Sequence, residues 1–189
     1  TLLPREVKEE GLRMLEFGCG GGMNLLQLVS ARNSTAIPIK QAIGTDFSPV
    51  LVQAANQETN RYLQDEDRRK VSFYVAKNES LIDDLAAGTG TAQSAWQGSF
   101  HFIIGVNTWR YCHRAKRELN CAQDIADLLV PGGVCVVIDM SDRFLFFKSA
   151  VKNRLAGRTE TEESYIPTLE EYTAPFRKVG LEVMRSEHF

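Results

Sequence analysis

The chain is poor in the residues that mark several specialised classes of protein. Among 189 residues it has 4 cysteines and 3 histidines. The cysteines are too widely spaced for a zinc site or a disulfide framework: Cys19, Cys112, Cys121 and Cys135. We therefore expect reduced thiols, no bound metal and a cytoplasmic location. No apolar run approaches the roughly 20 residues that a membrane-spanning helix needs.

Neither sign of charge dominates the chain. The 22 lysines and arginines nearly balance the 24 aspartates and glutamates, for a net charge of −2. This balance gives no sign of a nucleic-acid-binding surface. A hydrophobic share of 43% and a charged share of 24% are ordinary for a globular domain. We predict a single domain over residues 1–189.

What the chain does contain is an apolar run that ends in an acid and continues into a glycine loop. Glu16 stands two residues before Gly18, and further glycines follow at Gly20 and Gly22. Glycine tolerates positive φ and lets the backbone approach a ligand closely. The dinucleotide fingerprint G-x-G-x-x-G would need a third glycine where Met23 stands. The loop therefore predicts a nucleotide-binding turn that departs from the dinucleotide pattern.

Strand and helix patterns alternate along the chain. The predicted strands are 13–17, 37–45, 71–75, 100–106, 134–140 and 181–185. The predicted helices are 22–31, 49–65 with Ser48 as N-cap, 79–87, 114–129, and 169–179 with Thr168 as N-cap. The charged cluster 65–70 predicts a solvated turn. This alternation predicts a doubly wound, mostly parallel α/β sheet flanked by helices. Ligands bind such sheets at the edge formed by the carboxyl ends of the strands, here called the carboxyl edge.

Together these motifs resemble the class I S-adenosylmethionine-dependent methyltransferases over nearly the whole chain. The glycine loop resembles the family's motif I, and residues 129–133 (LVPGG) resemble its L-x-P-G-G turn before the fifth strand. The resemblance implies a Rossmann-like methyltransferase fold and the cofactor S-adenosyl-L-methionine, with S-adenosyl-L-homocysteine as product. The family normally inserts an antiparallel seventh strand between the fifth and sixth. No segment matches it, so we expect an unusual sheet edge or a truncated chain.

The resemblance also implies roles for residues at the carboxyl edge. Asp46 would accept hydrogen bonds from the ribose hydroxyls and Phe47 would flank the adenine. Glu16 would hold the loop and the methionine amino group, or only cap loop amides. Lys77 stands where an aspartate commonly contacts the adenine amino group, so Asn78, Glu79 or backbone groups would take that role. The cofactor-binding candidates are Glu16, Gly18, Cys19, Gly20, Gly22, Asp46, Phe47, Asn78, Glu79, Val106 and Asn107.

Candidates for the acceptor side follow the fourth and fifth strands. The first group is a polar-aromatic cluster, which either faces the substrate or begins a helix packed on the sheet: Trp109, Arg110, Tyr111 and His113. His113 is the first candidate for a general base because its unperturbed pKa is near 6.5, and Tyr111 is the second. A base is needed only if the acceptor loses a proton as it attacks. Asp139 or Asp142 is a further candidate.

The segment 141–167 is longer than a simple crossover requires. It contains an apolar cluster at 144–147, basic residues through 158 and then acidic residues. Three interpretations remain open: an amphipathic helix on the sheet, a substrate lid, or a membrane- or partner-facing surface formed by 144–158. A second copy of the chain in place of the missing strand would make a homodimer.

These features predict methyl transfer to an oxygen or carbon of a small molecule or biosynthetic intermediate. Many amino-group methylators of the family carry Asn/Asp-Pro-Pro-aromatic after the fourth strand, where residues 107–110 read NTWR. That difference and the low net charge disfavour RNA or protein methylation, which is one alternative. The other is a non-catalytic scaffold that binds S-adenosylmethionine.

Overall fold

The computed structural model describes residues 7, 11–30, 38–114, 116–140 and 167–187, with side chains at all of these except 113 and 114. Within them lie five strands: β1 (Leu12–Phe17), β2 (Ile39–Asp46), β3 (Val71–Val75), β4 (Phe100–Val106) and β5 (Leu129–Ile138). They form one sheet in the order β3-β2-β1-β4-β5, and every neighbouring pair is parallel. The predicted doubly wound sheet is confirmed, and its strand order reverses between β1 and β4.

Seven α-helices lie within the same residues: α1 (Met23–Val29), α2 (Pro49–Tyr62), α3 (Asp65–Arg68), α4 (Leu81–Thr89), α5 (Trp109–Arg114), α6 (Glu118–Leu128) and α7 (Leu169–Lys178). Short 3₁₀ helices lie at Asn78–Ser80 and Gln93–Ala95. None of the described helices combines the length and apolar character that crossing a bilayer requires.

The helices cover both faces of the sheet because its strands alternate their side chains between two apolar clusters. On one face Phe17 is buried with Ile125 of α6. On the other face Met14 is buried with Leu25 of α1 and Phe73 of β3. Burial on both faces is typical of parallel strands and places the carboxyl edge between two helical layers.

Two predictions that concern helices were wrong. The charged cluster 65–70 is not only a solvated turn, because residues 65–68 form α3 and Asp67 is buried beside Lys70, with 2.7 Å between Oδ1 and Nζ. The predicted helix 114–129 is divided into α5 and α6. Lys116 lies between them with φ of +55°, in the left-handed region that ends a right-handed helix.

The fifth strand begins earlier than predicted. The LVPGG segment, residues 129–133, lies within β5 and interrupts the regular pairing of β5 with β4. Phe100 pairs with Leu129, but Phe102 pairs with Val134. Two residues on β4 therefore span five on β5, which is a bulge. The apolar pattern could not locate it because it depends on the pairing with β4.

The predicted strand 181–185 was also wrong, since residues 181–187 have no regular secondary structure. Leu181 and Val183 are half-buried whereas Met184 is exposed, so the side chains alternate as a strand's would. A strand needs a hydrogen-bonding neighbour, and within the described residues β5 pairs only with β4. The last helix, by contrast, begins as predicted: Thr168 and Glu171 form a capping box at α7.

Candidate functional site

The glycine loop leaves β1 through a turn that needs glycine for two reasons. Gly18, Gly20 and Gly22 have φ of +63°, +55° and +76°. A Cβ added at Gly18 would lie 2.0 Å from Thr108 Oγ1, so this position has no room for a side chain. The loop is tied to β2 because the Cys19 N–H donates to Thr45 O at 2.8 Å.

Asp46 ends β2 and holds the loop from the other side. Its Oδ2 accepts the Gly20 N–H and its Oδ1 accepts the Ser48 N–H, both at 2.9 Å. A carboxylate offers about four acceptor positions, so these two bonds leave further acceptor capacity. Phe47, the next residue, is 70% exposed. The end of β2 thus presents a fixed carboxylate beside an accessible aromatic ring.

Glu16 is a buried carboxyl group with one oxygen left over. It is 1% exposed. Its Oε1 accepts the Asn24 Nδ2–H at 2.6 Å, whereas Oε2 has no hydrogen-bond partner among the described residues. Burial raises the pKa of Glu16 to about 7, against the opposing effect of hydrogen bonds from Asn24 and the Leu25 N–H. An unsatisfied buried oxygen is costly, and a cationic donor such as an ammonium group would satisfy it.

Cys19 shows that these acids lie close together. Burial first, and then the nearby Glu16 and Asp46 carboxylates, raise the pKa of its thiol well above the usual value. The thiol is therefore neutral near physiological pH and is not a thiolate nucleophile. The loop region has a negative electrostatic character that favours a positively charged ligand.

The residues after β3 are fixed from two directions. Asp84 Oδ2 accepts both the Lys77 N–H and the Ser80 Oγ–H at 2.9 Å. Asn78 Nδ2 donates to Thr108 Oγ1 at 2.7 Å. Glu79 lies beside Asn78 in the 3₁₀ turn and is half-buried.

At the end of β4 the backbone takes an unusual conformation. Asn107 has φ of +55°, which is uncommon for a residue other than glycine, and its N–H donates to Ile138 O at 2.7 Å. Val106, just before it, pairs with Ile138 and is half-buried. Such backbone positions are frequent at binding sites.

The polar-aromatic cluster after β4 divides into buried and exposed members. Trp109 is fully buried, stacked on Phe176 at 4.4 Å between ring centroids and edge-on to Phe17 at 6.5 Å. Trp109 therefore begins a helix packed on the sheet, which was one of the two interpretations. Tyr111 is 52% exposed. The side chain of His113 lies outside the described residues.

Arg110 links this cluster to the end of β5. Its NH1 donates to Asp139 Oδ1 at 2.8 Å and its N–H donates to Oδ2 at 3.0 Å. On the other side its NH2 donates to the Tyr111 hydroxyl at 3.3 Å. Both oxygens of Asp139 are thus bonded within the protein, while Asp142 and the rest of 141–166 lie outside the described residues.

Three residues of this edge were missed by the sequence reasoning: Asn24, Asp84 and Thr108. Thr108 is the second residue after the end of β4, a position that should have drawn attention. No motif in the sequence around Asn24 or Asp84 indicates the hydrogen bonds that these two side chains form. In the described part of the chain, no three or more histidine, cysteine, aspartate or glutamate side chains are grouped to hold a metal ion.

A family model described as a methyltransferase domain matches residues 1–186. The chain belongs to this methyltransferase family. The predicted resemblance to class I S-adenosylmethionine-dependent methyltransferases is confirmed, and with it the expectation of an enzyme family that uses this cofactor. The negative loop region, the spare Glu16 oxygen and the Asp46 carboxylate fit a cofactor that carries an ammonium group and a diol. None of the curated proteins compared with the chain matches it.

Solved structures support the methyltransferase fold. One is a methyltransferase of Haloferax volcanii in complex with the Trm112 methyltransferase activator, 21% identical with a TM-score of 0.60 over 93% of this chain and 63% of that one. The [4+2]-cyclase SpnF is 19% identical with a TM-score of 0.64, over 93% of this chain and 55% of SpnF. A SAM-dependent methyltransferase from Aquifex aeolicus is 14% identical with a TM-score of 0.63, over 93% of this chain and 75% of that one. The chain therefore spans between 55% and 75% of the length of these proteins.

Proposed function

We propose that this methyltransferase domain transfers a methyl group from S-adenosylmethionine to an oxygen or carbon of a small molecule. The observation that carries the cofactor part is the pair of acids at the glycine loop. Glu16 has a buried oxygen without a partner and Asp46 has acceptor capacity beyond its two backbone bonds. When bound, the cofactor supplies a methyl group made electrophilic by the positively charged sulfur.

The chain's own residues then have separable tasks. Asp46 accepts from the ribose hydroxyls, since each charge-assisted bond contributes roughly 1.5–3 kcal/mol. Glu16 accepts from the amino group of the methionine moiety. Phe47 flanks the adenine, and Val106 and Asn107 border the methionine moiety. Most of the remaining catalysis comes from orientation of the acceptor. The effective molarities of well-oriented reactants correspond to a lowering of the activation barrier by roughly 7–11 kcal/mol.

The burial of Trp109 supports an oxygen or carbon acceptor. In the family, many amino-group methylators carry an aromatic residue in the motif after the fourth strand. Here Arg110 stands at the aromatic position of that motif, and Trp109, the residue before it, is fully buried against Phe17 and Phe176 and is not available to an acceptor. Tyr111, which is exposed, and His113 are the proposed acceptor-side residues. Either would act as a general base only for an acceptor that must lose a proton.

A methyl-transfer assay tests this proposal. The purified domain is incubated with S-adenosylmethionine and panels of phenols, enolisable carbonyl compounds and amines, and the release of S-adenosylhomocysteine is measured. We expect turnover with members of the first two panels, and a loss of turnover at saturating acceptor for His113→Ala or Tyr111→Phe. Turnover with amines alone would contradict the acceptor class. Full turnover in both variants would remove the general-base role.

A second candidate function is cofactor binding without methyl transfer. It is favoured because the polar groups on the acceptor side already bind one another and not an acceptor. Arg110 forms an ion pair with Asp139, and its guanidinium lies 4.8 Å from the centre of the Tyr111 ring. Cofactor binding without turnover on any panel would support this candidate. The cytoplasmic location, a homodimer and a membrane- or partner-facing surface at 144–158 also stay proposals, and 144–158 lies outside the described residues.

A further inference from the structure

The two carboxylate oxygens of Glu16 have different surroundings. Oε1 accepts the Asn24 Nδ2–H at 2.6 Å, whereas Oε2 has no hydrogen-bond partner among the described residues. An ionised carboxylate only accepts hydrogen bonds, so the Asn24 amide has to present its N–H and not its oxygen to Glu16. The whole residue is 1% exposed, so bulk water does not reach it freely. Glu16 therefore has one oxygen that is fixed within the protein and one that is available to a ligand.

The available oxygen is also the place for a proton when Glu16 is neutral. Because Oε1 already accepts from Asn24, the proton of the neutral carboxyl group belongs on Oε2. An ammonium group that binds Glu16 would donate to the same atom, and it needs the carboxylate in its accepting, ionised form. A proton and an ammonium group thus compete for one buried oxygen.

Burial sets the pH at which this competition takes place. It raises the pKa of Glu16 to about 7, against the opposing hydrogen bonds from Asn24 and the Leu25 N–H. No lysine, arginine or histidine in the described part of the chain is among the causes of this shift. The strands on either side pair with Glu16 through Gly44 and Ile104, which have no titratable side chain.

Two further titratable groups lie nearby, the Cys19 thiol in the glycine loop and the Asp46 carboxylate at the end of β2. Burial first, and then the charges of Glu16 and Asp46, raise the pKa of the thiol well above its usual value, so the thiol stays neutral between pH 6 and pH 8. Neither group is among the causes that raise the pKa of Glu16. The competition at Oε2 is therefore governed by Glu16 and its hydrogen bonds.

We propose that Asn24 is a positioning residue that keeps Glu16 Oε2 available, and that the ammonium group of the methionine moiety displaces a proton from this oxygen when it binds. The inference rests on the proposed function, since it concerns S-adenosylmethionine and its product. The ammonium N–H donates to Oε2, and the displaced proton passes to the solvent. The affinity for the cofactor therefore falls as the pH falls below about 7, because binding then requires the removal of a proton.

Calorimetric titration with S-adenosylhomocysteine at pH 6 and pH 8 tests this exchange. The dissociation constant should be about tenfold higher at pH 6 than at pH 8. Titrations in buffers of different ionisation enthalpy count the protons, and they should find about one proton released per ligand at pH 6 and almost none at pH 8. The second ligand, 5′-methylthioadenosine, keeps the adenosine and the sulfur but has no ammonium group. Its dissociation constant should change by less than about twofold.

Two variants separate positioning from a general structural effect. Glu16→Gln should bind S-adenosylhomocysteine more weakly at pH 8 and release no proton at either pH. Asn24→Ala removes an exposed side chain whose hydrogen bond lowers the pKa of Glu16, so the fall in affinity should move to higher pH and proton release should become measurable at pH 8. Asn56→Ala is the matched control. It removes another exposed helical asparagine, whose Nδ2 donates to Val52 O at 3.0 Å, and should leave the pH profile unchanged.

The outcomes distinguish this inference from the proposed function. Binding of S-adenosylhomocysteine with equal affinity at pH 6 and pH 8 and without proton release overturns the exchange and leaves the proposed function standing. An equal pH dependence for 5′-methylthioadenosine has the same consequence. If Asn24→Ala weakens binding by the same factor at both pH values, the positioning role is overturned, because a merely structural effect would not move the profile. If S-adenosylhomocysteine binds at neither pH, the proposed function and this inference are both wrong.

Discussion

Glu16 and Asp46 lie at the same loop but meet different electrostatic conditions. Both oxygens of Asp46 accept backbone N–H groups. Glu16 is more deeply buried, has one oxygen without a partner and has a pKa raised to about 7. The negative charge that Glu16 offers to an ammonium group therefore depends on pH.

At the residue scale, this difference predicts a pH-dependent stability of the cofactor-free protein. Below pH 4.5 Glu16 is protonated in both the folded and the unfolded chain. Between pH 4.5 and about 7 the folded protein keeps a proton that the unfolded chain releases, so stability falls as pH rises. The free energy of unfolding should drop by up to roughly 3 kcal/mol between pH 4.5 and 8.

Urea denaturation of the wild type and Glu16→Gln at pH 5 and pH 8 measures this drop. Glutamine keeps the shape and does not ionise, so the variant should lose less stability than the wild type over the same interval. Glu182→Gln, at an exposed position, serves as the control and should behave as the wild type does. Equal losses in the wild type and Glu16→Gln would show that Glu16 is ionised in the folded protein throughout.

Glycines within one loop should also differ in their tolerance of a side chain. Gly18→Ala meets both a positive φ and the Thr108 side chain, and we expect it to lower the free energy of unfolding by at least about 2 kcal/mol. Gly21→Ala is the matched control, since a Cβ there has nothing within 4 Å and φ is not positive. Chemical denaturation compares the two. Similar stabilities would refute the close packing of Gly18 on Thr108.

At the scale of elements, α7 is attached to the rest of the fold by aromatic and polar contacts. Phe176 stacks on Trp109, and the Tyr172 hydroxyl donates to Met140 O at 2.7 Å. The capping box at Thr168 fixes where the helix begins. The helix thus packs against α6, Trp109 at the start of α5 and Met140 after β5, close to the acceptor-side residues.

Removing the Phe176 ring should loosen this attachment. Because Phe176 is only partly buried, we expect Phe176→Ala to lower the free energy of unfolding by roughly 2 kcal/mol, less than for a fully buried phenylalanine. The newly accessible Trp109 should shift the tryptophan emission to longer wavelength. Arg177→Ala removes a neighbouring exposed side chain and should leave the emission unchanged. An unshifted emission in Phe176→Ala would contradict the stacked contact.

Elements with a strong local pattern were predicted well, and those that depend on distant contacts were not. The bounds of β3 and β4 agree with the sequence pattern because β-branched and aromatic residues alternate between turn signals. The break between α5 and α6 depends on one backbone angle at Lys116, and the bulge in β5 depends on its pairing with β4. A strand at 181–185 would need a partner strand that no local pattern reveals.

At the scale of the whole molecule, the parallel sheet explains why residues far apart in sequence form one site. The ends of β1, β2, β3 and β4 bring together the glycine loop, Asp46, Asn78 and Asn107. The sequence was sufficient to predict this edge, since the alternation of strands and helices implies it. It was not sufficient for Thr108 or Asn24, whose importance comes from contacts across the edge with Asn78 and Glu16.

The two acids of the glycine loop are expected to bind S-adenosylmethionine at the carboxyl edge. Calorimetric titration with S-adenosylhomocysteine, and in parallel with NAD, tests it most directly. We expect binding of S-adenosylhomocysteine, no binding of NAD, and affinity reduced at least about tenfold in Asp46→Asn, which loses the charge of one acceptor group. Binding of NAD without binding of S-adenosylhomocysteine would contradict the account.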